Sequence, residues 1–366
     1  MNLLRLAAVP CFVVAAFSPL AAESVPVQLS CGMEARPGHN AMFAVDGDEG
    51  TWFATQRGVK AGECFTVIFN EPMRVEKLSV LTGYADGRER LAEGAIEVSE
   101  DGAAFTEAAN LTDGAVSVAG PGRVLKAVRL RVLADAGALV LREFRAGDAP
   151  LAPAGVVRAA REVGGTTVMF RGDASQFSGE EQKQLTAFLE QCATLCGDKI
   201  GEMAKRLDSP WEDVPKTIVV VYKTDPRGVP GYALGNCLTL NTQWVLHNRE
   251  ESVGMFIHEL SHVVQRYPGG NPGWLVEGLA DLIRYELSPA DDVWVRRTDA
   301  IDPKHSDYRH AYGEAAKFLA WIQKTHAPGL EGKLSRAMHD GKYRDELWTE
   351  IAGKDLAALW SEYRGE

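Results

Sequence analysis

His258-Glu259-Leu260-Ser261-His262 lies inside an apolar stretch that runs from residue 255 to residue 264. Four residues are about one helical turn, so the two histidines project from the same face of an α-helix. The apolar neighbours predict that this helix is largely buried. Two imidazoles on a buried face need a partner, and we expect zinc, for which neutral imidazole is a natural ligand.

Glu259 follows the first histidine directly in this motif. From that position a carboxylate reaches water at the metal without ligating the metal itself. This is the geometry required of a general base, which takes a proton from an attacking water. The spacing therefore predicts a hydrolytic site with Glu259 as its base.

A second helical segment supplies two acids, in the stretch Gly273-Trp274-Leu275-Val276-Glu277-Gly278-Leu279-Ala280-Asp281. Glu277 and Asp281 lie four residues apart among apolar side chains, where two carboxylates repel each other unless cations or donors hold them. We predict that Glu277 is the third zinc ligand, with a fourth position open to water. Asp281 would accept the free ring N–H of a ligating histidine. The alternative is that both acids cap the helix or pair with Arg284.

Three blocks in the second half of the chain resemble the basic secretory protein family, gluzincin-like zinc peptidases of plants and bacteria. They are His258–Gln265, Gly273–Asp281 with Arg284, and Tyr312–Leu319. The resemblance implies a zincin-like α+β domain, mainly helical after the HExxH helix, with His258, His262 and Glu277 on the metal. It implies hydrolysis of peptide bonds by a metal-activated water. Tyr312 or His310 would stabilise the oxyanion, and for each the alternative is a packed or exposed side chain without a catalytic role.

The first part of the chain, from residue 24 to about 148, has a different periodicity. Short runs alternate apolar and polar residues, as half-buried strands do. Asp-Gly and Asn-Glu-Pro turns separate them. These runs are Phe65–Phe69, Lys77–Leu81, Ala95–Ser99 and Ala127–Val132. Many short strands with turn signals predict an all-β sandwich.

This region resembles a discoidin-like domain, the type C domain of coagulation factors V and VIII. The resemblance is carried by Ala44-Val45-Asp46-Gly47-Asp48, Thr51-Trp52, Glu97–Gly102, Arg129–Val132 and Glu143-Phe144. It implies a jelly-roll sandwich that often binds glycans, and a structural Ca²⁺ near Asp46, Asp48, Thr51 and Glu143. Oxygen donors in a tight turn suit such a hard cation. The alternative is an ordinary Asp-Gly turn without a metal.

The predicted organisation is a signal peptide over residues 1–22, a sandwich over 23–148, a linker over 149–155 and a metallopeptidase domain over 156–366. Arg5, an apolar run from residue 6 to 17 and small residues before Glu23 indicate the signal peptide. The alternative for that segment is a membrane anchor, for which the run is short. We expect a secreted or periplasmic protein without stable membrane insertion.

Five cysteines remain after the predicted cleavage, and export exposes them to an oxidising compartment. We expect Cys31 to pair with Cys64, and Cys237 to pair with Cys192 or Cys196. The formal net charge is −11, and no basic patch is evident. Such a chain is not expected to bind nucleic acid.

Together these observations predict a secreted zinc metallopeptidase that acts on a protein or glycoprotein substrate. Its N-terminal sandwich would bind a glycan or cell-surface ligand. Two alternatives remain open. One is a glycan-binding or adhesion protein with an inactive peptidase-like domain. The other is a glycopeptidase that requires a sugar on its substrate.

Overall fold

A computed structural model describes residues 24–224, 228–289 and 291–366. The predicted signal peptide, residues 1–22, and Cys11 lie outside these ranges. The described part of the chain forms a β-sandwich followed by an α+β region that becomes mainly helical. None of its helices is both long enough and apolar enough to cross a membrane.

The N-terminal region is a sandwich of two sheets. Its strands are β1 (Val25–Cys31), β2 (Phe53–Gly58), β3 (Cys64–Arg74), β4 (Lys77–Thr82), β5 (Gly94–Ser99), β6 (Thr106–Asn110), β7 (Ala115–Ala119), β8 (Val124–Val132), β9 (Ala138–Ala146) and β10 (Leu151–Pro153). One sheet has the order β10-β1-β3-β8-β5-β6, and the other has the order β2-β9-β4-β7. A short 3-10 helix, Ala41–Ala44, precedes β2. The predicted all-β sandwich is confirmed.

Alternation along each strand builds the core between the two sheets. In β3 the side chains of Phe65, Val67 and Phe69 are fully buried, whereas the intervening residues are partly exposed. Phe53 and Phe144 from the second sheet pack against Phe65, with ring centroids 5.4 and 6.4 Å away. Truncation of such an aromatic residue to Ala costs about 3–5 kcal/mol of stability.

The segment 149–155, predicted as a linker, contains strand β10. Leu151 lies opposite Val25, and Pro153 lies opposite Val27, in a parallel pairing with β1. Residues 151–153 therefore belong to the first sheet of the sandwich. Proline is tolerated there because β10 is an edge strand.

A five-stranded mixed sheet opens the second region, in the order β11-β12-β13-β15-β14. Its strands are β11 (Val156–Val163), β12 (Thr166–Asp173), β13 (Thr217–Lys223), β14 (Gly231–Leu234) and β15 (Cys237–Asn241). Strand β14 pairs with β15 in an antiparallel manner and forms one edge of the sheet.

Nine α-helices accompany this sheet among the described residues. They are α1 (Gly179–Arg206), α2 (Thr242–His247), α3 (Arg249–Gln265), α4 (Gly273–Leu287), α5 (Val293–Asp299), α6 (Tyr312–Thr325), α7 (Leu330–His339), α8 (Glu346–Ala352) and α9 (Leu356–Arg364). Two 3-10 turns, Pro303–His305 and Tyr308–His310, lie between α5 and α6.

The two faces of the mixed sheet pack against different partners. One face shares an apolar core with α1 and α3, which includes Leu238 and Leu240 of β15. On the other face Val219, Val221 and Cys237 form a cluster with Met42 and Phe43 of the sandwich. The two regions are therefore in direct apolar contact.

The predicted disulfides are wrong, since all five described cysteines are free. Cys31 lies opposite Phe65 and shares its face of the sheet, whereas Cys64 precedes Phe65 and points to the other face. Cys192 and Cys196 of α1 lie in the core on one face of the mixed sheet, and Cys237 packs on the opposite face. The β-sheets therefore separate the predicted partners.

Candidate metal centre

Helix α3 carries both histidines of the HExxH motif. Ile257, Leu260 and Val264 are buried in the core beneath it and fix its orientation. The two imidazoles consequently face the same way, and their Nε2 atoms are 3.1 Å apart. The predicted i, i+4 arrangement is present.

Glu277 reaches the same point from α4. Its Oε2 atom lies 3.2 Å from Nε2 of His258 and 3.5 Å from Nε2 of His262. Among the described residues these three side chains are the group of His, Cys, Asp or Glu that could hold a metal ion. A tetrahedral zinc site with bonds of about 2.0–2.1 Å has edges of about 3.3 Å, so the three atoms have the spacing of such a site.

Two further side chains fix the tautomers of the histidines. Oδ1 of Asp281 lies 2.7 Å from Nδ1 of His258. Oε1 of Gln265 lies 2.7 Å from Nδ1 of His262, and the Gln265 amide nitrogen donates to the Val276 carbonyl at 3.1 Å. Both Nδ1 atoms therefore carry the proton, and both Nε2 lone pairs face the Glu277 carboxylate. These three atoms need a cation between them, either a proton on Nε2 or a metal ion.

Sequence reasoning missed the role of Gln265. It lies three residues after His262 on the same helix, which places the two side chains on one face. That spacing is the signal that could have identified it. Asp281, by contrast, has the contact with a ligand histidine that the sequence predicts, whereas the Arg284 guanidinium lies over the Trp294 ring at 4.1 Å from its centroid.

Burial and charge shift the pKa values of the site in opposite directions. Burial disfavours the charged form of His258, but the charge and hydrogen bond of Asp281, with Glu277, outweigh it and raise the pKa of His258 to about 10. Burial also opposes ionisation of Glu277, yet hydrogen bonds from His258 and His262 hold its pKa well below its usual range. Burial raises the pKa of Glu259, against the charges of both histidines.

Tyr312 lies beside the candidate metal ligands, and His310 does not. The Tyr312 ring is stacked 6.2 Å from the His258 ring and lines the same cleft. Ala311 and Tyr312 have φ values of 64° and 51°, which non-glycine residues rarely adopt and which cluster at functional sites. His310 is exposed and lies 3.3 Å from Glu314. Of the two predicted donors, only Tyr312 borders the cleft.

The metal-site residues open into a cleft of about 800 Å³. The chain from Val229 to Ala233, which includes most of β14, forms one wall, and the connection Arg266–Asn271 between α3 and α4 forms part of the other. Tyr232 and Tyr312 on its rim are 38% and 54% exposed. Exposed aromatic rings beside an edge strand offer apolar contacts to an extended ligand.

The structure brings the predicted calcium residues together. The hydroxyl of Thr51 donates to the Asp46 carboxylate at 2.9 Å, and the Asp46 carboxylate accepts the amide of Asp48 at 3.0 Å. Arg171, from β12 of the second region, forms an ion pair with Asp46 and lies 3.6 Å from Asp48. A cationic side chain from the neighbouring region therefore already reaches this acidic loop.

Glu143 on β9 completes the set. Its side chain is 5% exposed, and its Oε2 atom has no hydrogen-bond partner among the described residues. Burial raises the pKa of Glu143 to about 8, with Arg145 opposing the shift and Asp46 and Glu49 adding to it. A buried carboxylate with an unsatisfied oxygen beside two other acids matches the chemistry of a calcium ligand.

Comparisons with solved structures return carbohydrate-binding modules aligned over about a third of this chain. CBM32-1 from a family 31 glycoside hydrolase of Clostridium perfringens is 18% identical, covering 35% of this chain and 99% of its own, with a TM-score of 0.30. Chitosan-binding module 1 from a chitosanase/glucanase of Paenibacillus is 21% identical, covering 34% and 94%, with a TM-score of 0.28. A pectin-binding module is 18% identical, covering 36% and 96%, also with a TM-score of 0.28.

The metal-site helices lie within a family match of their own. No curated protein matches the chain. Residues 233–363 match the family described as peptidase of plants and bacteria, and this range contains α3, α4 and α6. The resemblance seen in the HExxH, ExxxD and Tyr312–Leu319 blocks is thus confirmed: residues 233–363 of this chain match the family described as peptidase of plants and bacteria.

Proposed function

We propose that this chain is a zinc-dependent peptidase that cleaves its substrate in the cleft beside β14. The observation that carries the proposal is the convergence of Nε2 of His258, Nε2 of His262 and Oε2 of Glu277 within 3.5 Å of one another. Two histidines and one glutamate are a ligand set of catalytic zinc, which leaves a position open. Zinc held there would supply a Lewis acid and lower the pKa of an attacking water.

Glu259 is the proposed general base. It lines the cleft beside both histidine ligands without belonging to the group that could hold the metal. Its carboxylate takes the proton of the attacking water and then gives it to the leaving amine. Asp281 and Gln265 keep both ligand imidazoles in the tautomer whose Nε2 carries the lone pair.

Tyr312 is the proposed donor to the carbonyl oxygen of the scissile bond. Its phenol borders the cleft, and the negative charge of Glu277 and partial burial raise its pKa, so the hydroxyl keeps its proton at neutral pH. A donor aimed at the position where charge develops stabilises the transition state more than the ground state.

Strand β14 is the proposed platform for the substrate backbone. One of its edges pairs with β15, and the other edge pairs with no strand among the described residues and borders the cleft. An extended peptide can add to such an edge through main-chain hydrogen bonds. The Ala233 side chain faces α3, because a Cβ built on Gly231, two residues earlier on the strand, would lie 3.1 Å from the Met255 sulfur.

We further propose that the sandwich binds a glycan or cell-surface ligand and holds a structural Ca²⁺. The convergence of Asp46, Asp48 and Thr51, together with the unsatisfied oxygen of Glu143, supports the calcium site. The signal-peptide pattern of residues 1–22 supports export to the periplasm or the medium.

Zinc content and hydrolysis of a protein substrate test the proposal together. We expect about one zinc per chain in the wild type by elemental analysis, with sharp loss in Glu277→Ala. Glu259→Gln should keep the zinc and lose cleavage of denatured casein, whereas Glu250→Gln, an exposed acid of the same helix, should keep both. A wild type that binds zinc and cleaves neither casein nor a glycoprotein would favour the adhesion-protein alternative instead.

A further inference from the structure

Four residues from neighbouring strands form a row across the mixed sheet. Asp173 of β12 lies opposite Val221 of β13, Val221 opposite Thr239 of β15, and Thr239 opposite Tyr232 of β14. Directly opposed residues project from the same face of a sheet. Val221 packs in the apolar contact with the sandwich, so the whole row faces the sandwich.

A cavity of about 580 Å³ lies between this row and the sandwich. All four residues of the row line the cavity on the side of the mixed sheet. The segment 29–37 and the side chains of Asn40 and Gln56 line it from the sandwich. The volume falls in the range of small-molecule sites, about 300–1,000 Å³. The cavity therefore has room for a substituent larger than an ordinary side chain.

Tyr232 connects this cavity with the candidate metal cleft, since the residue lines both. A substrate strand on the free edge of β14 would extend the row by one residue, placed opposite Tyr232. Successive side chains of that strand would point alternately toward α3 and toward the sandwich. The side chain opposite Tyr232 would thus face the cavity.

The lining indicates what the cavity can recognise. The Asp173 carboxylate already accepts the amide and hydroxyl of Ser175, at 2.9 and 2.6 Å. The guanidinium of Arg36 donates to the Thr55 carbonyl and the Tyr84 hydroxyl, at 3.0 and 3.1 Å. Lys223 and Glu34, which also line the cavity, pair with each other at 3.6 Å. The charged groups of the lining are therefore engaged within the protein.

The carboxamides of Asn40 and Gln56, by contrast, make no side-chain hydrogen bond to the described residues. Asn40 precedes the 3-10 helix of residues 41–44 without capping it through its side chain, and Gln56 is exposed on β2. Each offers two donors and an acceptor. Free carboxamides match uncharged partners that also both donate and accept, such as hydroxyl and amide groups.

We propose that this interdomain cavity is a subsite of the peptidase cleft, and that it takes an uncharged hydrogen-bonding substituent on the substrate residue opposite Tyr232. The substituent is either a sugar on Ser or Thr or the amide side chain of Gln or Asn. The inference rests on the proposed peptidase function. It makes the sandwich part of the substrate site, with Asn40 and Gln56 as specificity-determining residues.

The test uses zinc-loaded full-length protein and matched peptides that carry Ala, Asp, Gln or hexosyl-Ser at each position around the cleaved bond. At one position we expect the Gln or the hexosyl-Ser peptide to be cleaved with a kcat/KM about fivefold above the Ala peptide, and the Asp peptide not to be favoured. Gln56→Ala and Asn40→Ala should remove this preference, by raising KM for the favoured peptide to that of the Ala peptide. Gln28→Ala is the matched control, because it removes an exposed carboxamide of the same sandwich outside the cavity.

Each outcome decides a different point. Preference for the hexosyl-Ser peptide alone identifies a sugar as the ligand, and preference for the Gln peptide alone identifies an amide. Equal rates for all peptides, or a preference unchanged in Gln56→Ala, would overturn the subsite while the peptidase function stands. No cleavage of any peptide or protein by the zinc-loaded wild type would overturn the proposed function and the subsite with it. If Asn40→Ala lowers the thermal unfolding midpoint, the result for Gln56→Ala, at an exposed position, decides whether the subsite exists.

Discussion

The carboxylate of Asp281 lies 2.7 Å from Nδ1 of His258, on the side of the ring opposite the candidate metal position. Asp281 is 1% exposed, so this contact is shielded from water and its geometry is held by the packing of α3 against α4. Removal of such a carboxylate typically weakens metal binding by about 10- to 100-fold. We expect that loss for Asp281→Ala in competition with a chromogenic zinc chelator. Asp281→Asn, which keeps an acceptor, should lose less, and equal affinities for Asp281→Ala and wild type would contradict the assigned contact.

Gln265 should act on the second histidine in the same way, with a smaller effect because its carbonyl is neutral. We expect Gln265→Ala to weaken zinc binding by about tenfold. Gln265→Glu should lose less affinity than Gln265→Ala, since a carboxylate accepts the Nδ1 proton but cannot donate to the Val276 carbonyl. The neighbouring Arg266→Ala, an exposed side chain, is the control. The same chelator competition measures all three.

Tyr312→Phe removes the phenol and leaves the ring beside His258. If the hydroxyl stabilises the developing oxyanion, kcat should fall roughly a hundredfold with little change in KM. His310→Ala should leave both constants unchanged, because His310 lies outside the cleft. A rise of KM without a fall of kcat in Tyr312→Phe would assign the ring to substrate binding alone.

Glu143 predicts a pH dependence of stability in the absence of calcium. Its folded-state pKa is raised from 4.5 to about 8, so its contribution to stability is fully present below about pH 4.5 and is lost as the pH rises through about 8. Calcium favours the charged carboxylate and should reverse the loss. We expect the thermal unfolding midpoint to fall less between pH 5 and pH 8.5 in Glu143→Gln than in the protein that keeps Glu143. Both proteins carry Glu277→Ala and are measured in EDTA, so that zinc does not contribute.

The control for that experiment is the addition of excess Ca²⁺ at each pH. The midpoint of the protein that keeps Glu143 should rise more at pH 8.5 than at pH 5, and the Glu143→Gln variant should respond weakly. A parallel pH dependence in the two proteins would show that Glu143 does not titrate in this range.

Arg171 and Asp46 join the two regions through a largely buried ion pair, with side chains that are 13% and 3% exposed. Arg171→Ala leaves a buried carboxylate without its counter-charge, which costs about 3–5 kcal/mol. Lys223 and Glu34 also join the two regions, but both are exposed, so Lys223→Ala should cost about 0–1 kcal/mol. Chemical denaturation followed by tryptophan fluorescence measures the free energy of unfolding of both variants. If Arg171→Ala lowers it as little as Lys223→Ala does, the buried pair does not stabilise the protein.

The metal site could be predicted from the sequence because its signals are local. The i, i+4 spacing of His258 with His262, and of Glu277 with Asp281, fixes which side chains share a helix face before any tertiary structure is known. That the two helices face each other is inferred from the two acids among apolar residues, which need a cation, and the family resemblance implies the same. Zinc itself and the role of each ligand stay predictions until the metal is measured.

Non-local features could not be predicted in the same way. Whether Cys31 meets Cys64 depends on the register of β1 and β3, which places them on opposite faces. The Pro- and Ala-rich segment 149–155 suits an edge strand as well as a linker, and only its pairing with β1 distinguishes the two. The row from Asp173 to Tyr232 depends on the order of the strands in the sheet, which cannot be predicted from the spacing of residues along the chain.

The short joint after β10 has a mechanical consequence. β10 ends at Pro153 and β11 begins at Val156, so two residues separate the sheets of the two regions. One of them is Gly155, at φ 79°, where a Cβ would lie 2.8 Å from the Ala174 carbonyl oxygen. Because the connection is so short, the sandwich has little freedom to move relative to the mixed sheet. A ligand bound to the sandwich would therefore be held at a fixed distance from the candidate metal site, and that distance would set which bond the proposed peptidase cleaves.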